Sequence, residues 1–282
     1  MRLTTPVTSC ELPVKAGLGT GITVLGSCFA DSMGERMRRC GLDVCVNPFG
    51  TLYNPASIAG AVRRLDSGTP FQEGDCVEMG AGAGLICSFE HHTSFARPTA
   101  QEFLANANAR LAEACAAWQR SSVVIITLGT AQVWRRADGR IVSNCLKRPG
   151  GEFSHDMLGV EDVTGLLGGI VAAHPGKRFI FTVSPIRHLG EGAHLNTLSK
   201  GTLHLGIQAV LGSSACYFPA YEILLDELRD YRFFADDLVH PSRLAEDIIW
   251  ERFVEAAVPE ADRAALAANE KAARREAHRP LR

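Results

Sequence analysis

What this chain lacks narrows its chemistry. No stretch approaches the roughly 18 consecutive apolar residues of a membrane-spanning helix. Neither sign of charge dominates: 29 basic residues stand against 31 acidic ones, a formal net charge of −2. That balance points to neither nucleic acid nor an anionic membrane as a partner. There is no C-x-x-C pair, although the chain has nine cysteines. The number is odd, the positions are scattered, and Cys45, Cys87, Cys115 and Cys216 sit inside apolar runs where a free thiol behaves as a small hydrophobe. We read them as reduced thiols of a cytoplasmic protein, not as a disulfide framework. Met1 to Leu18 lacks the apolar core of a secretory signal and carries Glu11 and Lys15. No internal repeat is visible, and no pattern calls for a cofactor. A zinc site from His188, His194 and His204 lacks an i, i+4 ligand pair and an evident acidic base, so no metal is expected.

What is present is the composition of a globular chain. Of 282 residues, 46% are hydrophobic and 21% charged, enough to bury a substantial core. Short β-branched runs alternate with helical patterns. Strands are expected at Gly21–Leu25, Asp43–Val46, Ser122–Leu128, Arg178–Val183 and Ser214–Phe218. Helices are expected at Phe29–Cys40, Pro55–Leu65, Ala100–Gln119, Val160–Ala173, Leu195–Leu211, Ala220–Leu228 and Ser242–Ala257. The run Val123-Val124-Ile125-Ile126-Thr127-Leu128 is apolar on both faces, as a central parallel strand covered by helices must be. Asn54-Pro55 fits a helix entrance with an amide cap and proline in the first turn. The alternation predicts a three-layer α/β/α fold with a mainly parallel, doubly wound sheet. Residues 66–98 are glycine-rich without helical period and read as a loop or small hairpin near the sheet's carboxyl edge. Residues 258–282 read as a charged helical tail that frays at Arg279-Pro280, set beyond a single domain of residues 1–257 with its core at about 21–257.

The chemistry concentrates at two places. Gly26-Ser27-Cys28 lies between the first strand and the first helix, a turn that lifts a side chain to the carboxyl edge of the sheet. Asp237 and His240 stand three residues apart near the other end. A hydroxyl is a poor nucleophile until a positioned base takes its proton. Ser27, His240 and Asp237 therefore form a candidate nucleophile, base and orienting acid, with Asp236 an alternative acid. Pro241 keeps His240 out of αR geometry and can open the next helix. Cys28 is a rival nucleophile, since a thiolate needs less activation. We favour Ser27, because neighbouring side chains point different ways and Cys28 would pack against the sheet. Arg187 and His188 stand just past a strand, on the functional edge. They are placed to bind a substrate carboxylate or sugar hydroxyl, or to pair with Glu222 or Asp230. His91-His92 reads as a polar loop before a substrate contact. Asn196 and Lys200 read as one helical turn's polar face. Asp226, Arg229, Asp230 and Arg232 read as an ion-pair lattice under the Asp237–His240 loop.

Gly26-Ser27-Cys28-Phe29-Ala30 spells the signature of the GSCFA domain family, a branch similar to the SGNH/GDSL-type serine hydrolases. Further blocks that resemble the family are Asn47 to Pro55, Thr127-Leu128-Gly129-Thr130-Ala131, Asn144-Cys145, Ser184 to His188, Asn196 with Ser199-Lys200, Tyr217 to Glu222 and Arg229 to Arg232. Together they span Val24 to Phe253 and favour a single domain. The resemblance implies an SGNH-hydrolase-like, flavodoxin-like fold and ester chemistry through a Ser27-His240-Asp237 triad. The substrate implied is a small molecule or an acylated carbohydrate. It also implies an oxyanion hole from the serine's own N–H, a glycine N–H matched by Gly50, and an asparagine after Gly129. That asparagine position is Ala131, so the third donor must come from elsewhere: Thr130, Gln132 and Asn144 are the candidates. The same departure leaves a second reading open, a non-catalytic ligand- or glycan-binding module on the same fold.

Overall fold

The computed structural model describes residues 4–7 and 11–277. Its centre is a five-stranded, all-parallel sheet: β1 (Ile22–Gly26), β2 (Val44–Val46), β3 (Val123–Leu128), β4 (Arg178–Val183) and β5 (Ala215–Tyr217), in the spatial order β2-β1-β3-β4-β5. Around it stand helices α1 (Cys28–Arg39), α2 (Pro55–Ser67), α3 (Ala100–Arg120), α4 (Val160–Ala173), α5 (Ala193–Gln208), α6 (Arg243–Ala257) and α7 (Glu260–Ala277). The expected α/β/α architecture is the one observed.

The strand period decides which side each residue serves. Leu25, Val124, Ile126, Leu128, Phe179, Phe181 and Val183 face a core with α2, α3, α4 and α5. Their neighbours Val24, Val123, Ile125 and Ile180 face the opposite core with α1, α6 and α7. That two-sided burial is why these strands are apolar without interruption. The strand order reverses direction between β1 and β3, the switch point where open α/β sheets leave a crevice beyond their carboxyl ends.

Local chemistry sets the helix entrances. Asn54 caps α2 by accepting Ser57 N–H (2.9 Å), with Pro55 in the first turn, as expected. Thr99 caps α3 and exchanges a reciprocal pair with Glu102. Pro241 does not itself open α6: Ser242 is the cap, its Oγ accepting Ala245 N–H, and the helix begins at Arg243. The expected helix Ala220–Leu228 is one short turn, Ala220–Glu222, passing into a wider π-turn over Ile223–Leu228. The segment 66–98 does contain a small hairpin, Val77–Glu78 with Ile86–Cys87. A three-stranded antiparallel sheet, Gln132–Arg136 between Ile141–Val142 and Phe153–Met157, was not anticipated. The expected fraying at Arg279-Pro280 lies outside the described residues, as does Cys10. The eight cysteines described are all free. No helix among the described residues is long and apolar enough to cross a membrane.

Candidate active site

β1 ends in a turn that only glycine fits. Gly26 has φ +147°, and a Cβ on it would lie 2.2 Å from Thr127 O on β3. Its N–H is held by Asn47 Oδ1 (2.7 Å), and Asn47 Nδ2 reaches Asp31 Oδ1 (2.6 Å), tying strand, loop and α1 together. Ser27 is the N-cap of α1, in extended geometry. It is fully buried, and its Oγ has no hydrogen-bond partner among the described residues. Its N–H donates to Thr127 O (3.2 Å). The expected contact between Ser27 and His240 is therefore not made. The cap position turns the serine inward, and the first helical residue, Cys28, is the one turned to the opening.

Cys28 Sγ lies 3.6 Å from His240 Nε2. His240 Nδ1 lies 2.6 Å from Asp237 Oδ2, while Asp237 Oδ1 accepts the N–H groups of Val239 and His240, both at 2.9 Å. These bonds hold the Asp237 carboxyl down to about 2, the His240 and Val239 N–H groups contributing most, then the ring. An ionised Asp237 takes Nδ1–H and leaves Nε2 as the acceptor, so the Cys28 thiol donates to it. Burial is the main influence on the thiol and pushes its pKa up. Its own N–H pulls the other way, Asp31 pushes up again, and the Tyr53 hydroxyl and Phe29 N–H pull down. Cys28 thus rests as a thiol beside a base, activated when the ring takes its proton.

The loop carrying the acid and base is closed on itself. Ala235 N–H donates to His240 O, and Ser242 N–H to Phe233 O, both at 2.8 Å. Leu238, at its tip, sits at φ +56°, and its carbonyl accepts from the Arg187 guanidinium (3.1 Å). Arg187 N–H also binds Val239 O (3.1 Å), and the guanidinium lies over the Phe234 ring. Arg187 therefore braces the loop and pairs with neither Glu222 nor Asp230. Glu222 instead takes the Tyr217 hydroxyl (2.7 Å). The lattice expected below the loop reduces to a long Asp230–Arg232 contact of 3.6 Å; Glu227 makes the firmer pair, with Arg252 at 2.7 Å.

Behind the thiol the residues are polar and largely buried. Lys200 is buried, and its Nζ donates to Gly129 O and Ser184 O, both at 2.7 Å, joining the ends of β3 and β4. Burial brings its pKa down to about 7, with Cys28 acting to raise it. His188 is fixed by its N–H to Asn196 Oδ1 (2.9 Å) and stands edge-on to the Tyr53 ring, centroids 5.6 Å apart. Burial, then the charges of Lys200 and His240, lower it to about 4, so its ring is neutral at pH 7. Sequence reasoning placed Asn47 and Tyr53 in a family-like block but gave neither a role. Asn47's positive φ (+40°) is the kind of constraint an asparagine before Pro-Phe-Gly advertises.

The remaining expectations sort by what their atoms already hold. Gly50 N–H donates to Asn47 O (2.8 Å), so it is occupied as a turn bond. Thr130 Oγ1 bonds Ser199 Oγ (2.9 Å) and accepts Gln132 N–H (3.0 Å). Asn144 Oδ1 takes Leu146 N–H (2.8 Å) and closes its own loop. Gly129 N–H and Thr130 N–H share Tyr53 O. His91 is not in a polar loop: it is fully buried among Phe49, Phe71, Phe95 and Phe103, its Nδ1 2.7 Å from Ser88 Oγ. Among the described residues, no three His, Cys, Asp or Glu side chains converge to hold a metal ion, the three weighed histidines included.

The model of the GSCFA family matches residues 21–253. No curated protein matches the chain, and no solved structure matches it.

Proposed function

The chain belongs to the GSCFA family, and from that premise we propose that it is an acyl-transfer enzyme whose nucleophile is Cys28, with His240 as base and Asp237 orienting the ring. The observation that carries this reading is the unbroken line from Sγ through Nε2 and Nδ1 to the carboxylate, at 3.6 and 2.6 Å. The thiol gives its proton to His240 as sulfur bonds to an ester carbonyl carbon. His240 then returns that proton to the departing alkoxide. Water, or an acceptor hydroxyl activated by the same ring, breaks the S–C bond and frees the cysteine. An ester of a small molecule or carbohydrate suits this sequence, and free thiols suit a reducing, cytoplasmic setting. In this reading the nucleophile is Cys28 and not the buried Ser27.

The test is turnover of p-nitrophenyl acetate by the wild type and three variants whose folding is checked by circular dichroism. Cys28→Ala and His240→Ala lose turnover, whereas Ser27→Ala retains it. Loss in Ser27→Ala with retention in Cys28→Ala returns the role to the serine. A well-folded wild type that binds ligands yet transfers no acyl group favours the binding-module reading, which draws on the alanine at position 131, buried and without a polar side chain.

A further inference from the structure

The Cys28 thiol has a second side-chain neighbour besides the His240 ring: the Tyr53 hydroxyl, which acts on it as a hydrogen-bond partner. The backbone explains how this tyrosine comes to lie there. Leu52 N–H donates to the carbonyl of Gly26, the last residue of β1 (2.8 Å). Tyr53 O accepts the N–H groups of Gly129 and Thr130, just past β3, at 2.8 and 2.9 Å. Residues 52 and 53 are thereby laid across the carboxyl ends of two adjacent strands, and α1 begins at Cys28 beside the first of them. Leu52 is buried in the core, whereas Tyr53 keeps part of its surface exposed. Gly129 leaves room for the ring: a Cβ there would stand 3.3 Å from Tyr53 Cδ1.

The phenol is itself oriented. Thr51, which is buried, donates from Oγ1 to the Tyr53 hydroxyl oxygen (3.2 Å). A hydroxyl that accepts through its oxygen still has its own hydrogen to give. The Cys28 sulfur, which donates to His240 Nε2 at 3.6 Å, has lone pairs to receive it. Thr51, Tyr53, Cys28, His240 and Asp237 then form one chain in which each group donates to the next. Hydrogen bonds aligned in this way reinforce one another. Burial holds the Tyr53 phenol above its ordinary range against the pull of Thr51, and Cys28 and Asp31 add to the rise. The tyrosine therefore stays protonated beside a thiolate.

Resting on the Cys28 reading above, we propose that Tyr53 is a further catalytic residue: its hydroxyl, oriented by Thr51, donates to the Cys28 sulfur and holds the negative charge that forms there. The S–H bond breaks, its proton passes to His240 Nε2, and its electron pair stays on sulfur. Tyr53 keeps its own proton throughout. When sulfur bonds to the carbonyl carbon that pair is used, and the hydroxyl is released from it. The site needs such a donor because a thiolate loses hydration in a part-buried turn. A hydrogen bond to the charged form offsets that loss.

The readout is the pH profile of iodoacetamide alkylation, followed at the Cys28 peptide by mass spectrometry, because alkylation reports the thiolate. Tyr53→Phe keeps the ring over Gly129 and removes only the hydroxyl. It is expected to move the midpoint of that profile up by about one pH unit, the scale of one hydrogen bond to a charged group. Alkylation and p-nitrophenyl acetate turnover near pH 7 should both slow about tenfold, as one unit requires. Thr51→Val keeps the shape and loses the donor to Tyr53, so it should shift the midpoint the same way by less. It carries the test if position 53 does not tolerate the change. A midpoint that stays in place or moves down overturns the proposal, even where urea unfolding shows a less stable variant, since a packing role leaves the thiol's titration alone. Turnover retained in Cys28→Ala removes the Cys28 reading and this one with it. An unmoved midpoint in Tyr53→Phe, beside a Cys28→Ala that has lost turnover, removes this one alone.

Discussion

At the scale of single residues, what separates the two halves of Gly26-Ser27-Cys28 is one step of helix geometry. The chain type at this turn was legible from the sequence: a glycine after an apolar strand, then a small residue, then a helix. Which of two adjacent nucleophiles faces the opening was not, because it depends on where the helix begins. Ser27 is the cap and Cys28 the first helical residue, a boundary of the kind that pattern reading places to within a residue or two. Asp237 and His240 were legible because their contact is local, three residues along the chain. The partners of His188 and Lys200 were not, because those atoms meet carbonyls and rings brought by other strands. His91 makes a separate residue-scale prediction. Burial holds it near 3, against about 6.5 for a free ring. Above pH 6.5 both folded and unfolded states carry it neutral. Below that, the unfolded chain takes up a proton that the folded one refuses, so stability falls with acidification from about 6.5 toward 3. The expected slope is about 1.4 kcal/mol per pH unit in that window. His91→Phe, which keeps a ring among Phe49, Phe71, Phe95 and Phe103, should flatten the urea-unfolding stability measured between pH 6 and 4. An unchanged slope contradicts the assignment.

At the scale of elements, strands buried on both faces announced themselves, and so did helices with capping residues. All five sheet strands lie within a residue of their expected bounds. Asn54 shows why the caps were readable: one side chain satisfies one orphan N–H, and no tertiary partner is needed. Asn54→Ala should cost about 1 kcal/mol, seen as a shift in the urea midpoint with unchanged slope. The antiparallel sheet of Gln132–Arg136 and its neighbours was hidden for a physical reason. Only Val133 and Val142 are deeply buried there, while Trp134, Arg135 and Arg136 lie in solvent or in ion pairs. A strand with one inward residue carries almost no alternation to read. The π-turn at Ile223–Leu228 was read as plain helix because its sequence is helical. Its left-handed end at Arg229 (φ +50°) comes from the fold around it.

At the scale of the whole molecule, the order β2-β1-β3-β4-β5 places the ends of β1 and β3 side by side, and the site follows from that adjacency. Cys28 comes from the first turn of α1, just past β1, Gly129 from just past β3, His188 from the segment after β4, and His240 from the loop before α6. Nothing in the sequence spacing brings those four together; parallel pairing does. The last helix is part of the same packing. Leu266 is 2% exposed in the core with α1 and α6, Asn269 Nδ2 bonds Cys40 O (2.9 Å), and Glu270 pairs with Arg36 (2.9 Å). The charged composition of residues 258–282 concealed that inward edge, and a solvated tail was the natural reading. Leu266→Ala should cost about 2–5 kcal/mol in chemical denaturation, as core truncations do. A cost below 1 kcal/mol would mean that α7 adds little to the fold.

The most direct test of the nucleophile is the chemical nature of the trapped acyl group. After brief exposure to p-nitrophenyl acetate at low pH, the peptide holding Ser27 and Cys28 is sequenced by tandem mass spectrometry, then treated with neutral hydroxylamine. The account predicts an acetyl group on Cys28 that hydroxylamine removes, as it does a thioester, absent in Cys28→Ala and present in Ser27→Ala. An acetyl group on Ser27 that resists hydroxylamine and persists in Cys28→Ala would contradict it.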